Sequence, residues 1–288
     1  MKNVIKKYVK IFRRYWFEDI RDDIQNKLRP YFKHRNNDEY ENKRMLDDPV
    51  YLDRYGYKVY SEADEDGIIA EIFKRIGVTN KKFVDFGAGN GLCSNSHFLL
   101  HQGWGGIWIE GSKQQCENIR KRFSFPIQQK RLSVINAFIT KDNINDLIGC
   151  GDNALNGEID FLSIDIDGND YWIWKSITCI CPRVVMIEYN AKFPPTFEWI
   201  MEYDENHLWD MSDEHGASLK AFELLGRELG YQLVGTSTNG VNAFFVKKDL
   251  TANLFPNPAT AENLYHSWKG MGIINYVSGH PSKKYIGK

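Results

Sequence analysis

Between Glu65 and Val246 the chain alternates seven short apolar runs with stretches of helical periodicity. The runs are 83–86, 106–109, 131–139, 159–167, 183–190, 231–238 and 241–246. A helical stretch precedes the first run and one follows each of the first five. Neighbouring strands that run the same way need such a crossover, because a tight turn reverses the chain. The pattern predicts an α/β fold with a mostly parallel seven-stranded sheet covered on both faces. The last two runs flank Asn239-Gly240, a strong signal for a hairpin, expected here to add an antiparallel strand at the sheet edge.

The first run opens into "VDFGAGNG", with Gly87, Gly89 and Gly91 at alternate positions. Glycines there let the backbone turn sharply and let a ligand lie against it. Glu110 ends the second run about 20 residues on, where an acid can grip both ribose hydroxyls. An adenosine-type ligand is therefore expected beyond the carboxyl ends of the strands. A dinucleotide fingerprint would place its last glycine at position 92, which is Leu92. Asp85 just before the turn suits a cationic amino-acid end better than a pyrophosphate, and no phosphate-binding lysine follows. S-adenosylmethionine (SAM) fits these points, and NAD fits less well.

"VDFGAGNG" resembles motif I of class I SAM-dependent methyltransferases. "SEADEDGIIAEIF", "FLSIDIDGNDYWIW", "VVMIEYN" and "GASLKAFELLGRELGYQLVGTSTNGVNAFFV" resemble the FkbM-type branch, over roughly residues 58–250. The resemblance implies a Rossmann-like domain and methyl transfer to a hydroxyl of a sugar or nucleotide-activated sugar, in surface-polysaccharide biosynthesis. It places Asp85, Gly87 and Gly89 at the methionine part of SAM, Glu110 at the ribose, and Asn136 and Ala137 near the adenine. Ala88, Asn90 and Gly111 complete the cofactor set, and Asp165 faces the methyl group. Glu62 stands where the branch often has Gln, so no cofactor contact carries over to that position.

A hydroxyl acceptor must lose a proton, to a base or with a metal's help. The ends of the fourth and fifth runs supply Asp165, Asp167 and Asp170, then Glu188 and Asn190. Asp165 and Glu188, on adjacent strands, are candidates both for catalysis and for holding Mg²⁺ or Mn²⁺, since oxygen ligands suit hard cations. Asp167 is a further catalytic candidate, and Asp170 is expected to cap the helix that follows. Residues 191–217 are irregular and aromatic, with Trp199, Tyr203 and Trp209 suited to sugar rings, and His215 as a candidate base. His97 is expected to be an ordinary helix or surface residue. Transfer to an amine or phosphoramide nitrogen, and a non-catalytic nucleoside-binding scaffold, remain alternatives.

Charge is uneven. Residues 1–35 carry eleven Lys/Arg and four Asp/Glu, while the whole chain has a net charge of −1. The acidic remainder argues against a nucleic-acid partner. Residues 3–29 read as a basic amphipathic helix that lies on an anionic membrane, pairs with a second copy as a homo-oligomer, or packs on its own domain. The organisation expected is an arm at 1–35, a linker at 36–57, the methyltransferase-like domain at 58–250 and an extension at 251–288. Five cysteines without a CxxC pair indicate neither zinc nor a disulfide framework and fit a reducing cytoplasm. No run reaches the roughly 20 apolar residues of a membrane span.

Overall fold

The computed structural model describes residues 45–149, 154–210 and 212–267. The helix expected at 3–29, residues 36–44 of the linker, and residues 268–288 lie outside them. The chain divides into two units, Met1–Asp48 and Pro49–Lys288. The description below concerns the second.

Seven strands form one sheet in the order β3-β2-β1-β4-β5-β7-β6. They are β1 (Lys82–Phe86), β2 (Gly105–Glu110), β3 (Leu132–Asn136), β4 (Gly157–Ile164), β5 (Ile180–Glu188), β6 (Tyr231–Thr236) and β7 (Asn242–Lys247). All neighbours are parallel except β7, which is antiparallel to both β5 and β6. The α/β reading of the sequence holds, with one correction. The antiparallel strand lies one place in from the edge, and β6 is the edge. Ala243, Phe244, Phe245 and Val246 are all fully buried, which an interior strand requires.

Helix α1 (Glu65–Ile76) precedes the first strand, helices α2 (His97–His101), α3 (Lys113–Arg122), α4 (Ser124–Gln128), α5 (Ile144–Gly149), α6 (Asp170–Ser176) and α7 (Leu219–Glu228) lie in the connections between strands, and α8 (Lys248–Thr251) and α9 (Ala261–Leu264) follow the sheet. Strand order reverses between β1 and β4, the switch point where open α/β sheets receive ligands. The helix expected through Leu100 is one short turn. The Ser94 and Ser96 hydroxyls before it bond to Asp85 instead of supporting helix.

The "SEADEDG" stretch is a clasp. Asp64 accepts from Thr238, Glu65 from Asn242, and Asp66 from the amides of Val59, Tyr60 and Ser61. A Cβ on Gly67 would fall 2.2 Å from the Tyr55 carbonyl oxygen, so α1 meets the preceding chain backbone to backbone. Residues 49–57, expected to be linker, pack on the body. Leu52 joins the core, and Arg75 donates to the carbonyls of Pro49 and Val50. The extension is also integrated, with Phe255, Ala261 and Leu264 buried. No helix among the described residues is long and apolar enough to cross a membrane.

Candidate active site

A cavity of about 870 Å³ opens at the carboxyl ends of β1, β2, β4 and β5. One side of it is built from the glycine turn. Gly87 has φ +74°, and a Cβ there would sit 1.7 Å from the Asp165 carbonyl oxygen, so this glycine lets the β1 and β4 ends touch. Gly89 has φ +55° and nothing within 4 Å of a Cβ, so it faces open cavity. Gly91 is closed off by the rings of Trp108 and Phe123. One motif therefore performs three separate jobs.

Glu110 ends β2 with both carboxylate oxygens held by backbone amides, from Gly89 at 2.8 Å and Ser112 at 2.7 Å. Glu110 lines the cavity, and each oxygen keeps acceptor capacity beyond its one amide donor, as a diol-binding carboxylate needs. Gly111, Ala137, Phe138 and Ile139 line the same side.

Four residues of the expected cofactor set do not line the cavity. Asp85 turns into the interior, 2% exposed, and accepts from Ser94 Oγ, Ser96 Oγ and Ser96 N. Burial raises its pKa, against the pull of those donors. It shapes the glycine turn from beneath. Ala88 packs into the hydrophobic core. Asn90 accepts from the Leu92 amide, and Asn136 donates to the carbonyls of Glu110 and Gly111, tying β3 to β2.

The other side of the cavity is acidic. The β4–β5 register pairs Ile164 with Ile187, so Asp165 and Glu188 leave neighbouring strands side by side. Among the described residues, Asp165, Asp167 and Glu188 each offer one oxygen within 4.8 Å of the others. That is a donor set for a hard cation such as Mg²⁺ or Mn²⁺. Burial first, then the neighbouring carboxylates, pushes the pKa of Asp165 and of Glu188 well up. Asp167 is raised by burial and by Glu62. Asp167 also adopts φ +54°, an uncommon conformation for a residue with a side chain and one that clusters at functional sites.

Asp170 is not part of this surface. It is fully buried as the first residue of α6, with its carboxylate accepting from the amides of Ile166 and Gly168. It binds the preceding turn rather than its own helix, and burial raises its pKa to about 6.

The irregular segment after β5 closes the cavity. Asn190 donates to the carbonyls of Asp213 and His215, and the Gly216 amide donates to the Gly168 carbonyl. These bonds hold His215 Nδ1 3.8 Å from Glu188 Oε2. Trp209 packs edge-on to His215 with ring centres 6.0 Å apart and lines the cavity. His207 covers the turn after β4, where a Cβ on Gly168 would strike its ring. Trp199 stacks on Phe193, and Tyr203 packs edge-on to Trp172, both away from the cavity. His97 is buried rather than superficial, stacked on Tyr60 at 3.9 Å.

Sequence reasoning missed Phe138, Lys192 and Asp213, all in the lining. It also left Glu62 without a role, although the clasp around Asp66 delivers it to the acidic side. The chain after α9 reaches the same wall. Tyr189 Oη donates to the His266 carbonyl and Tyr265 Oη to the Ala191 carbonyl. Tyr189 and Ala191 both line the cavity.

No protein-family model and no curated protein sequence matches the chain. Solved structures with a similar arrangement include a SAM-dependent methyltransferase from Aquifex aeolicus, 13% identical, covering 71% of this chain and 96% of that one, with a TM-score of 0.38. A SAM-dependent methyltransferase from Clostridium acetobutylicum is 12% identical over 62% and 88%, with a TM-score of 0.37. The glycopeptide N-methyltransferase MtfA in complex with SAM is 17% identical over 64% and 95%, with a TM-score of 0.38. At these values the likeness carries no argument about cofactor or acceptor.

Proposed function

We propose that the chain is a SAM-dependent methyltransferase acting on a hydroxyl of a sugar or sugar-like acceptor. The observation that carries this reading is the Glu110–Gly89 pair. A strand-end carboxylate is fixed by the amide of a glycine whose missing side chain leaves open space. Glu110 would hold the ribose, Gly87 and Gly89 would admit the amino-acid end, and Phe138 would cover the base. When bound, SAM supplies a methyl group already activated by its sulfonium.

The protein then has to align the acceptor and remove one proton. Glu188, at the end of β5 with its pKa raised by burial and by the neighbouring carboxylates, would take that proton, with His215 beside it to pass the proton outward. Trp209 lines the same cavity beside His215. The oxygens of Asp165, Asp167 and Glu188 are also the set that would bind Mg²⁺ or Mn²⁺, and an activity abolished by EDTA and restored by Mn²⁺ would establish that use.

The reading is tested by calorimetric titration with S-adenosylhomocysteine (SAH). Micromolar binding is expected, weakened about tenfold or more in Glu110→Ala, which corresponds to about 1.4 kcal/mol. Absence of SAH binding to the folded wild type would remove the reading and bring the scaffold alternative forward.

A further inference from the structure

Downstream of the glycine turn lies a cluster that takes no part in the cavity. Helix α2 begins and ends with histidine, His97 and His101. At this spacing the two side chains share one face of the helix. Their Nε2 atoms stand 3.2 Å apart. His97 Nδ1 lies 3.1 Å from the Leu92 carbonyl oxygen. A carbonyl only accepts, so His97 carries its proton on Nδ1 and its Nε2 is a bare lone pair. In the neutral pair, His101 donates to that lone pair through Nε2–H.

The two rings are held in place. Tyr60 stacks on both, with centres 3.9 Å from His97 and 5.0 Å from His101. The Tyr60 amide is itself fixed by the Asp66 carboxylate. Trp108 and Phe123 meet His97 edge-on. His97 is buried and His101 is exposed, so one ligand is anchored and the other gives access from solvent. Burial lowers the pKa of His97, with His101 acting in the same sense and the Leu92 carbonyl and Asp66 acting against them. The neutral, ligand-ready imidazole is therefore favoured there.

We propose that His97 and His101 form a binding site for a divalent transition cation of the Zn²⁺ type. Two imidazole nitrogens, each about 2.0–2.1 Å from one tetrahedral Zn²⁺, are about 3.3 Å from each other. The pair stands at nearly that span. Binding moves the His101 proton from Nε2 to Nδ1, and both Nε2 lone pairs then face the cation. No proton is released and nothing is oxidised. The Nδ1–H of His97 stays on the Leu92 carbonyl, the outer bond that orients a ligating imidazole. Imidazole donors suit Zn²⁺, Ni²⁺ and Cu²⁺, whereas Mg²⁺ and Mn²⁺ prefer oxygen. Among the described residues no third His, Cys or carboxylate joins the pair within 4.8 Å, so water completes the shell and chelators remove the cation readily. Neither histidine lines the cavity, and the site does not depend on the methyl-transfer reading.

The test uses the full chain, freed of metal with EDTA and then dialysed. It is titrated calorimetrically with Zn²⁺ and, separately, with Mn²⁺. Cysteines and carboxylates elsewhere also take Zn²⁺, so the comparison is with His101→Gln, a change at an exposed position that spares the buried ring of His97. The Tm of the metal-free variant checks that it is folded. Wild type is expected to show a Zn²⁺ site that the variant weakens at least about tenfold. Mn²⁺ binding should be equal in the two. Saturating Zn²⁺ should also raise Tm more in wild type than in the variant. Zn²⁺ binding to the variant as tightly as to wild type, or no Zn²⁺ binding to wild type, would overturn the proposal and leave the pair a hydrogen bond alone.

Discussion

Replacing Gly89 and Gly87 separately by alanine separates two of the three jobs the glycine turn performs. At Gly89 the added methyl meets no protein atom within 4 Å, so its conformational cost is that of holding alanine at φ +55°. That cost is about 1–2 kcal/mol, or a fall in Tm of about 2–8 °C for a domain of this size. The same methyl occupies the space proposed for SAM, so SAH affinity should fall tenfold or more. At Gly87 the methyl would lie 1.7 Å from the Asp165 carbonyl oxygen and 2.9 Å from its carbonyl carbon. Backbone cannot rotate away, so the ends of β1 and β4 must separate by more than an ångström. Together with the positive φ this should cost about 3–5 kcal/mol, and Tm should fall by about 10 °C or more. Urea denaturation and calorimetric titration with SAH measure both quantities on each variant. The reasoning fails if Gly89→Ala binds SAH like the wild type, or if Gly87→Ala is as stable as Gly89→Ala.

Asp85→Asn keeps an acceptor for the Ser94 and Ser96 donors but adds an unmatched amide, so it should lose about 1–3 kcal/mol of stability while SAH affinity changes less than about threefold. A tenfold loss of affinity at unchanged Tm would return Asp85 to direct cofactor contact. The Asp170 carboxyl has a folded-state pKa raised to about 6, so its stabilising contribution is complete below the ordinary carboxylate pKa near 4 and is lost as pH rises through 6. Wild type measured against Asp170→Asn in EDTA should therefore gain on the order of 1 kcal/mol between pH 7 and pH 5, and a relative loss over that interval would contradict it. His266→Ala leaves Asp53 buried without the partner now 2.8 Å away and should cost about 1–3 kcal/mol in urea denaturation, with no loss counting against it.

The alternation of apolar runs with helical stretches determined the strand count and the parallel sense of the sheet. It also determined the position of the glycine turn and the placing of Glu110, Asp165 and Glu188 at strand ends. These follow from local periodicity, because a strand's end and its neighbour's register are set by where apolar residues stop. The direction in which a strand-end side chain points is not local. Asp85 reads as a ligand residue, yet Ser94 and Ser96, 9 and 11 positions downstream, turn beneath it and supply the donors that hold it inward. The alternating glycines look alike in the sequence. Only the packing of Asp165 behind one, cavity in front of the second and Trp108 and Phe123 against the third tells them apart. Glu62, Lys192 and Asp213 have no periodic signal, since irregular chain carries them to the cavity through the Asp66 clasp and the Asn190 bonds. The sequence by itself determined which residues stand at the strand ends. The tertiary structure decided the charge that surrounds them, because that charge is a sum over side chains delivered from segments with no regular pattern of their own.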